Sequence, residues 1–139
     1  MFQFTDILYR SGVIPYRFNE ETIEILLITS RTNQRWIIPK GEIEPELDAA
    51  ESAAKEAWEE AGAIGELDKT LRGTYYYEKK GYPCQVQVFL LRVTEVLEDW
   101  LEASFRKRQW MGLEEAIASV QEPELKEILQ DLPTLLKES

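Results

Sequence analysis

The chain has 139 residues, 44% of them apolar and spread along its whole length, which suits one domain with a buried core and excludes a disordered or fibrous chain. Its formal charge of −10 argues against general nucleic-acid binding, which draws on many Lys and Arg contacts, and no run approaches the ~18–20 apolar residues that span a bilayer. With no histidine and Cys84 as the single cysteine, imidazole zinc sites, Ser-His or Cys-His catalysis and intrachain disulfides are excluded as well.

In chain order, Met1 to Asp6 lack a basic segment followed by an apolar run, so no signal peptide is expected, and a lone thiol fits a cytoplasmic location. Ile7 to Arg17 and Thr22 to Ser30 are rich in β-branched and apolar residues and predict two strands, joined by a turn over Asn19, Glu20 and Glu21. Arg31 to Arg35 is a polar break, and Trp36, Ile37 and Ile38 form a short strand stopped by Pro39 before a turn through Lys40 and Gly41. A helix is predicted from Asp48, an N-cap with Glu51 three residues on, to Gly62, a C-cap residue. Leu71 to Glu78 and Gln85 to Val96 read as strands flanking a loop over Lys79 to Pro83. Arg106 to Met111 reads as a short strand, and Leu113 to Val120 and Glu124 to Leu136 as helices, with Pro123 at a helix start. Strands mixed with one middle helix and two terminal ones predict an α/β chain, a sheet sandwiched between helices, as a single domain over 1–139.

The chemistry lies in the middle helix. Glu56, Glu59 and Glu60 stand at i, i+3 and i+4, side by side on one helix face. Three carboxylates crowded there repel one another unless a hard cation such as Mg²⁺ joins them. An acidic, solvated helix face is the competing account. It explains Ala50, Ala53, Ala54, Ala57, Trp58 and Ala61 as a buried stripe, but not the flanking Gly41 and Gly62.

With those residues in register over 23 positions, Gly41 to Ala63 resembles the Nudix box, G-x5-E-x7-R-E-U-x-E-E-x-G-U, where U is bulky and aliphatic. Leu47 replaces the first Glu and Lys55 the Arg, so the ion pair common in that family is absent; Glu51, one turn before Lys55, offers a substitute partner. Ala57 and Ala63 are small at the U positions. The resemblance implies an α/β/α sandwich with a mixed central sheet. It also implies Mg²⁺-dependent (or Mn²⁺-dependent) hydrolysis of a phosphoanhydride, with the ions held by Glu56, Glu59, Glu60 and a backbone carbonyl near Lys40 or Gly41. Metal-activated water is the expected nucleophile, and a box glutamate its base: Glu56 ahead of Glu60, with Glu78 and Glu95 as outlying alternatives.

A second resemblance, to the diphosphoinositol polyphosphate phosphohydrolases, rests on Val93 to Trp100, Arg106 to Trp110, Glu114 to Ile117, and Trp36 to Gly41 continuing through Glu44 to Glu46. It implies a small phosphorylated substrate, a diphosphoinositol polyphosphate or a diadenosine polyphosphate, and no nucleic-acid or membrane partner. So many phosphates need several cations. Arg31, Lys40 and Arg106 lead because they flank the motifs, followed by Arg10 and Lys79. Tyr75, Tyr76, Tyr77 and Tyr82 could stack on a nucleoside. A pyrophosphatase of nucleotide sugars or dNTPs, and a noncatalytic ligand-binding module on the same fold, remain open at this point.

Overall fold

The structure, a computed structural model, describes residues 6–137; Met1 to Thr5, read above for a signal sequence, lie outside them. Among the described residues a seven-stranded mixed sheet carries three helices. The strands are β1 (Leu8–Asn19), β2 (Thr22–Thr29), β3 (Trp36–Ile37), β4 (Lys40–Glu42), β5 (Ala63–Lys79), β6 (Tyr82–Val96) and β7 (Arg108–Gly112). The helices are α1 (Ala49–Ala61), α2 (Leu113–Ser119) and α3 (Pro123–Lys137). The main path runs β3-β2-β1-β6-β5, with β4 paired to β1 and β7 to β2. The β1–β6 pair is parallel and the other pairs are antiparallel.

Strand alternation sorts the core into two layers. Ile14, Ile25, Leu27, Val86, Val88 and Leu90 point to the face covered by α2 and α3, where Leu125, Leu129 and Leu132 meet them. Val13, Leu26, Ile28, Phe89 and Leu91 point to the other face, against Ala50, Ala53, Ala57 and Ala61 of α1. Each fully buried large side chain contributes about 1.5–3 kcal/mol, so these two clusters make the α/β/α sandwich the stable arrangement. The alanine stripe lets α1 lie close on the sheet and fixes the height of its outward face. Trp58, expected in that stripe, is 47% exposed. It follows Ala57 by one residue, about 100° further round the helix, and so leaves the contact face.

The predicted ends of α1 hold. Asp48 caps the helix by accepting from the Glu51 N–H at 2.7 Å, while the Glu51 carboxylate accepts from the Asp48 N–H at 3.0 Å. Gly62 ends it in the left-handed region, at φ 65°, where glycine alone is unstrained. Two elements differ from the sequence reading. Lys40–Glu42, expected as a turn, pairs as β4 with Arg10 to Gly12 of β1. In addition, β5 begins at Ala63 rather than near Leu71, because its polar first half is zipped onto the far half of β6 across register shifts after Ile64 and Asp68. The β5–β6 hairpin turns on Lys80 and Gly81, both at positive φ (50° and 84°), which places Lys79 and Lys80 at the hairpin tip.

Candidate active site

The side of α1 that borders β4 opens on a cleft of about 1080 Å³. Glu56, Glu59 and Glu60 form one side of it, joined by Gly41 of β4. A Cβ at Gly41 would run into the Glu56 carboxyl group, which would have to move aside. The glutamate therefore rests directly against the β4 backbone. All five cations expected from the sequence line the same cleft: Arg10, Arg31, Lys40, Lys79 and Arg106. The β1–β4 pairing brings in Arg10 and Lys40, the hairpin tip brings Lys79, and the loop after β2 brings Arg31. A protein of charge −10 thus carries a local concentration of positive charge facing an acidic helix.

These cations differ in how far the chain already occupies them. The Nε of Arg10 is buried with no hydrogen-bond partner among the described residues, and its Nη2 lies 3.9 Å from the Glu42 carboxylate. Arg31 is exposed and lays its guanidinium on the Phe105 ring, 4.5 Å from the centroid. Lys40 sits over the Tyr77 ring at 4.6 Å, and burial draws its ammonium down to about 8 against the opposing pull of Glu60. Arg106 is the most engaged of the five. Its Nε donates to Glu102 at 2.7 Å, its Nη1 to the Thr29 carbonyl at 2.8 Å and its Nη2 to Glu60 at 3.2 Å. Every guanidinium nitrogen has a partner inside the protein, so Arg106 braces Glu60 while it also lines the cleft.

Other expectations sort on the same geometry. Lys55 pairs not with Glu51 but with Glu44, at 2.9 Å, and reaches Glu59 at 4.0 Å. Glu51 instead meets Lys69 at 3.3 Å. The Glu44 N–H also donates to the Ser52 hydroxyl at 2.9 Å, so the loop before α1 is tied down without the Glu–Arg pair of the motif. Of the four tyrosines, Tyr77 lines the cleft, Tyr75 is core, and Tyr76 and Tyr82 lie on the surface away from it. Glu78 is at the cleft rim; Glu95, opposite Ile64 near the far end of β6, is not. Arg35, one of the wider set of cations that the sequence offers to a phosphorylated ligand, also lines the cleft and is held by Glu122 at 2.8 Å; sequence reasoning gave no role to Glu102 or Trp100. Arg35 had one signal, its place beside the Trp36 to Gly41 segment; Glu102 had none.

The donor set suits a hard divalent cation, since it is all oxygen and carries uncompensated charge. Burial and then the neighbouring Glu60 and Glu59 push the Glu56 carboxyl up to about 8. Burial also raises Glu60, although Arg106 and the Lys40 N–H, 3.0 Å from its Oε1, oppose the rise. Among the described residues no three acidic or cysteine side chains are placed to hold a metal ion; Glu60 is turned to Arg106 and Glu59 toward Lys55. In the unfolded chain Glu56 ionises near its ordinary 4.5, so between that pH and about 8 the folded protein holds the extra proton and loses stability as pH rises. Lys40 is charged in both states below about 8, so its cost is constant across that window. The metal-free protein should therefore show a falling Tm from about pH 5 to about pH 8, with a divalent ion restoring more at the upper end. A Tm flat with pH and indifferent to the ion would remove the case for crowded carboxylates.

The NUDIX domain family model matches residues 8–132, and the chain belongs to that family. Among named relatives, it is similar to diphosphoinositol polyphosphate phosphohydrolase 2 of Rattus norvegicus, 36% identical over 114 residues that cover 81% of this chain and 62% of that one. It is also similar to diphosphoinositol polyphosphate phosphohydrolase 3-beta of Bos taurus, 35% identical over 127 residues covering 88% and 76% of the two chains. The match thus spans about three fifths of the rat relative's length. Among solved structures, the Ap4A hydrolase of C. elegans in a binary complex superposes with a TM-score of 0.80 at 27% identity, over 95% of this chain and 99% of that one.

Proposed function

We propose that this protein hydrolyses a phosphoanhydride bond in a small, highly phosphorylated substrate, a diphosphoinositol polyphosphate or a diadenosine polyphosphate, with Mg²⁺ as its ion and Mn²⁺ as a substitute. The observation that carries this reading is the cleft itself, where Glu56, Glu59 and Glu60 face Arg10, Arg31, Lys40 and Lys79. The activities for which the two mammalian relatives and the worm enzyme are named support the two substrate classes. Glu56, Glu59, Glu60 and the Gly41 backbone would hold the ion. When bound, it supplies charge neutralisation at the phosphate oxygens and a water acidic enough to ionise near neutral pH.

The chain's own residues do the remaining work. Arg10, with a buried donor that has no partner among the described residues, and Arg31, at the rim, offer planar guanidinium forks to phosphate oxygens. Lys40 and Lys79 add point charges. Glu56, against the β4 backbone, is the group that takes the proton of the attacking water, and Glu60 is held still by Arg106 and the Lys40 N–H. For a dinucleoside substrate, Tyr77 is the cleft tyrosine available for a base. We assign the protein to the cytoplasm, whose reducing conditions suit its single free thiol; separately, among the described residues no helix is long and apolar enough to cross a membrane.

The test is a panel of phosphoanhydrides: an inositol pyrophosphate, diadenosine tetraphosphate, a nucleotide sugar and a dNTP, each with Mg²⁺ and with excess EDTA. Turnover of one of the first two, abolished by the chelator, is expected. Preference for the nucleotide sugar or dNTP would overturn the substrate class, and full activity in EDTA would overturn the ion.

A further inference from the structure

The end of α1 that carries Glu59 and Glu60 is gripped in an unusual way. A helix leaves its last four carbonyls without intrahelical partners, and water commonly takes them. In this protein the Trp58 carbonyl accepts from the Gly62 N–H at 3.1 Å, the usual glycine cap. The next ones go to one segment, residues 97–108. The Glu59 carbonyl accepts from the Glu102 N–H at 3.1 Å, that of Glu60 from the Trp100 indole Nε1 at 2.9 Å, and that of Ala61 from Arg108 Nη1 at 2.8 Å. Past the helix, the Gly62 carbonyl accepts from the Leu97 N–H at 2.9 Å.

Two side chains of this segment brace each other. The Arg108 guanidinium lies on the Trp100 ring, 3.8 Å from its centroid. Stacking fixes the plane of both groups, so each donor stays aimed at its carbonyl, and a cation at a helix C-terminus also complements the helix dipole. The same segment sends Arg106 to the Glu60 carboxylate. Glu60 is consequently held at its carbonyl by Trp100, at Oε2 by Arg106 and at Oε1 by the Lys40 N–H.

We propose that Trp100 and Arg108 are positioning residues for the acidic end of α1: stacked on each other, they hold the backbone of Glu60 and Ala61 so that Glu59 and Glu60 are presented at a fixed place to the cation. This rests on the reading of the site as a cation-dependent hydrolase. An ordinary helix cap predicts only a loss of stability on mutation. A positioning pair predicts weaker cation binding and slower turnover in protein that is still folded.

Trp100→Phe tests this, because phenylalanine keeps a ring under Arg108 and removes only the indole donor. Mn²⁺ is the probe, its binding read by electron paramagnetic resonance in the absence of substrate. Expected are an Mn²⁺ affinity and a kcat each lowered about tenfold, the low end for groups that orient metal-binding side chains, with KM for diadenosine tetraphosphate held within about twofold. Arg108→Lys, which keeps the charge but not the flat stacked fork, should show a smaller loss of the same kind. Leu101→Ala, at a 68% exposed position of the same segment, should show none. If Trp100→Phe binds Mn²⁺ and turns over like the wild type, or loses both only in step with its unfolded fraction, the inference is wrong. Should the wild type bind Mn²⁺ yet hydrolyse no phosphoanhydride while Trp100→Phe binds Mn²⁺ more weakly, the proposed function fails and the positioning role stands. Wild-type protein that neither binds Mn²⁺ nor hydrolyses overturns both.

Discussion

Replacing Arg106 by alanine should destabilise the protein by about 3–5 kcal/mol, lowering Tm by roughly 10–15 °C, because it breaks a buried ion pair from one side. The Arg106 and Glu60 side chains are 7% and 9% exposed, so water screens their interaction little. Glu102, the other carboxylate on this guanidinium and partly buried, would lose this partner at the same time, as would the buried Thr29 carbonyl. Activity should fall alike on every phosphoanhydride, since Arg106 acts on Glu60 and not on the substrate. The check is a chemical denaturation curve alongside kcat/KM on an inositol pyrophosphate and on ADP-ribose. A fully stable variant, impaired only on the inositol substrate, would restore the role that the sequence suggested.

Glu59→Gln and Glu60→Gln should each reduce turnover by at least about 100-fold, the scale of losing several kcal/mol of charge stabilisation. Their effects on the metal-free protein should diverge. Among the described residues the Glu59 carboxylate pairs only with Lys55, at 4.0 Å, and its charge repels Glu56, so glutamine there should leave Tm unchanged or raise it. Glu60 accepts from the Lys40 N–H with one oxygen and from Arg106 with the other. A glutamine amide has a single acceptor oxygen, so its NH₂ must face one of these donors, at a cost of about 1–3 kcal/mol. Thermal melts in EDTA separate the two. Equal melting temperatures would mean that Arg106 and Lys40 do not depend on the Glu60 oxygens, and near-normal turnover of Glu59→Gln would remove Glu59 from the ion's ligands. From the sequence, where both residues read as equivalent acids on one face, neutral or favourable stability is expected for both; the buried Arg106 makes the difference.

That contrast marks the boundary between what is local and what is not. The sequence by itself determined α1 from cap to cap, since the Asp48–Glu51 box and the Gly62 conformation are short-range devices, and it determined the spacing that puts Glu56, Glu59 and Glu60 on one face. Most of the strands followed from runs of β-branched and apolar residues and the turns between them. Tertiary structure alone decided the three-residue β4, too short to carry a pattern, and the polar half of β5, paired only because β6 reaches it. It also decided which charges are spent inside the protein. Arg31 and Arg106 rank alike in the sequence and ahead of Arg10, but their partners come from other strands, loops and helices, and the fold separates Arg10, whose buried donor has no partner among the described residues, from Arg106, held at every nitrogen. The pairing of Lys55 with Glu44 in place of the motif's ion pair, and the segment over residues 97–108 that closes the end of α1, have the same origin. Both depend on side chains far apart in the chain meeting where the fold brings backbone carbonyls and carboxylates together, which no local pattern of residues encodes.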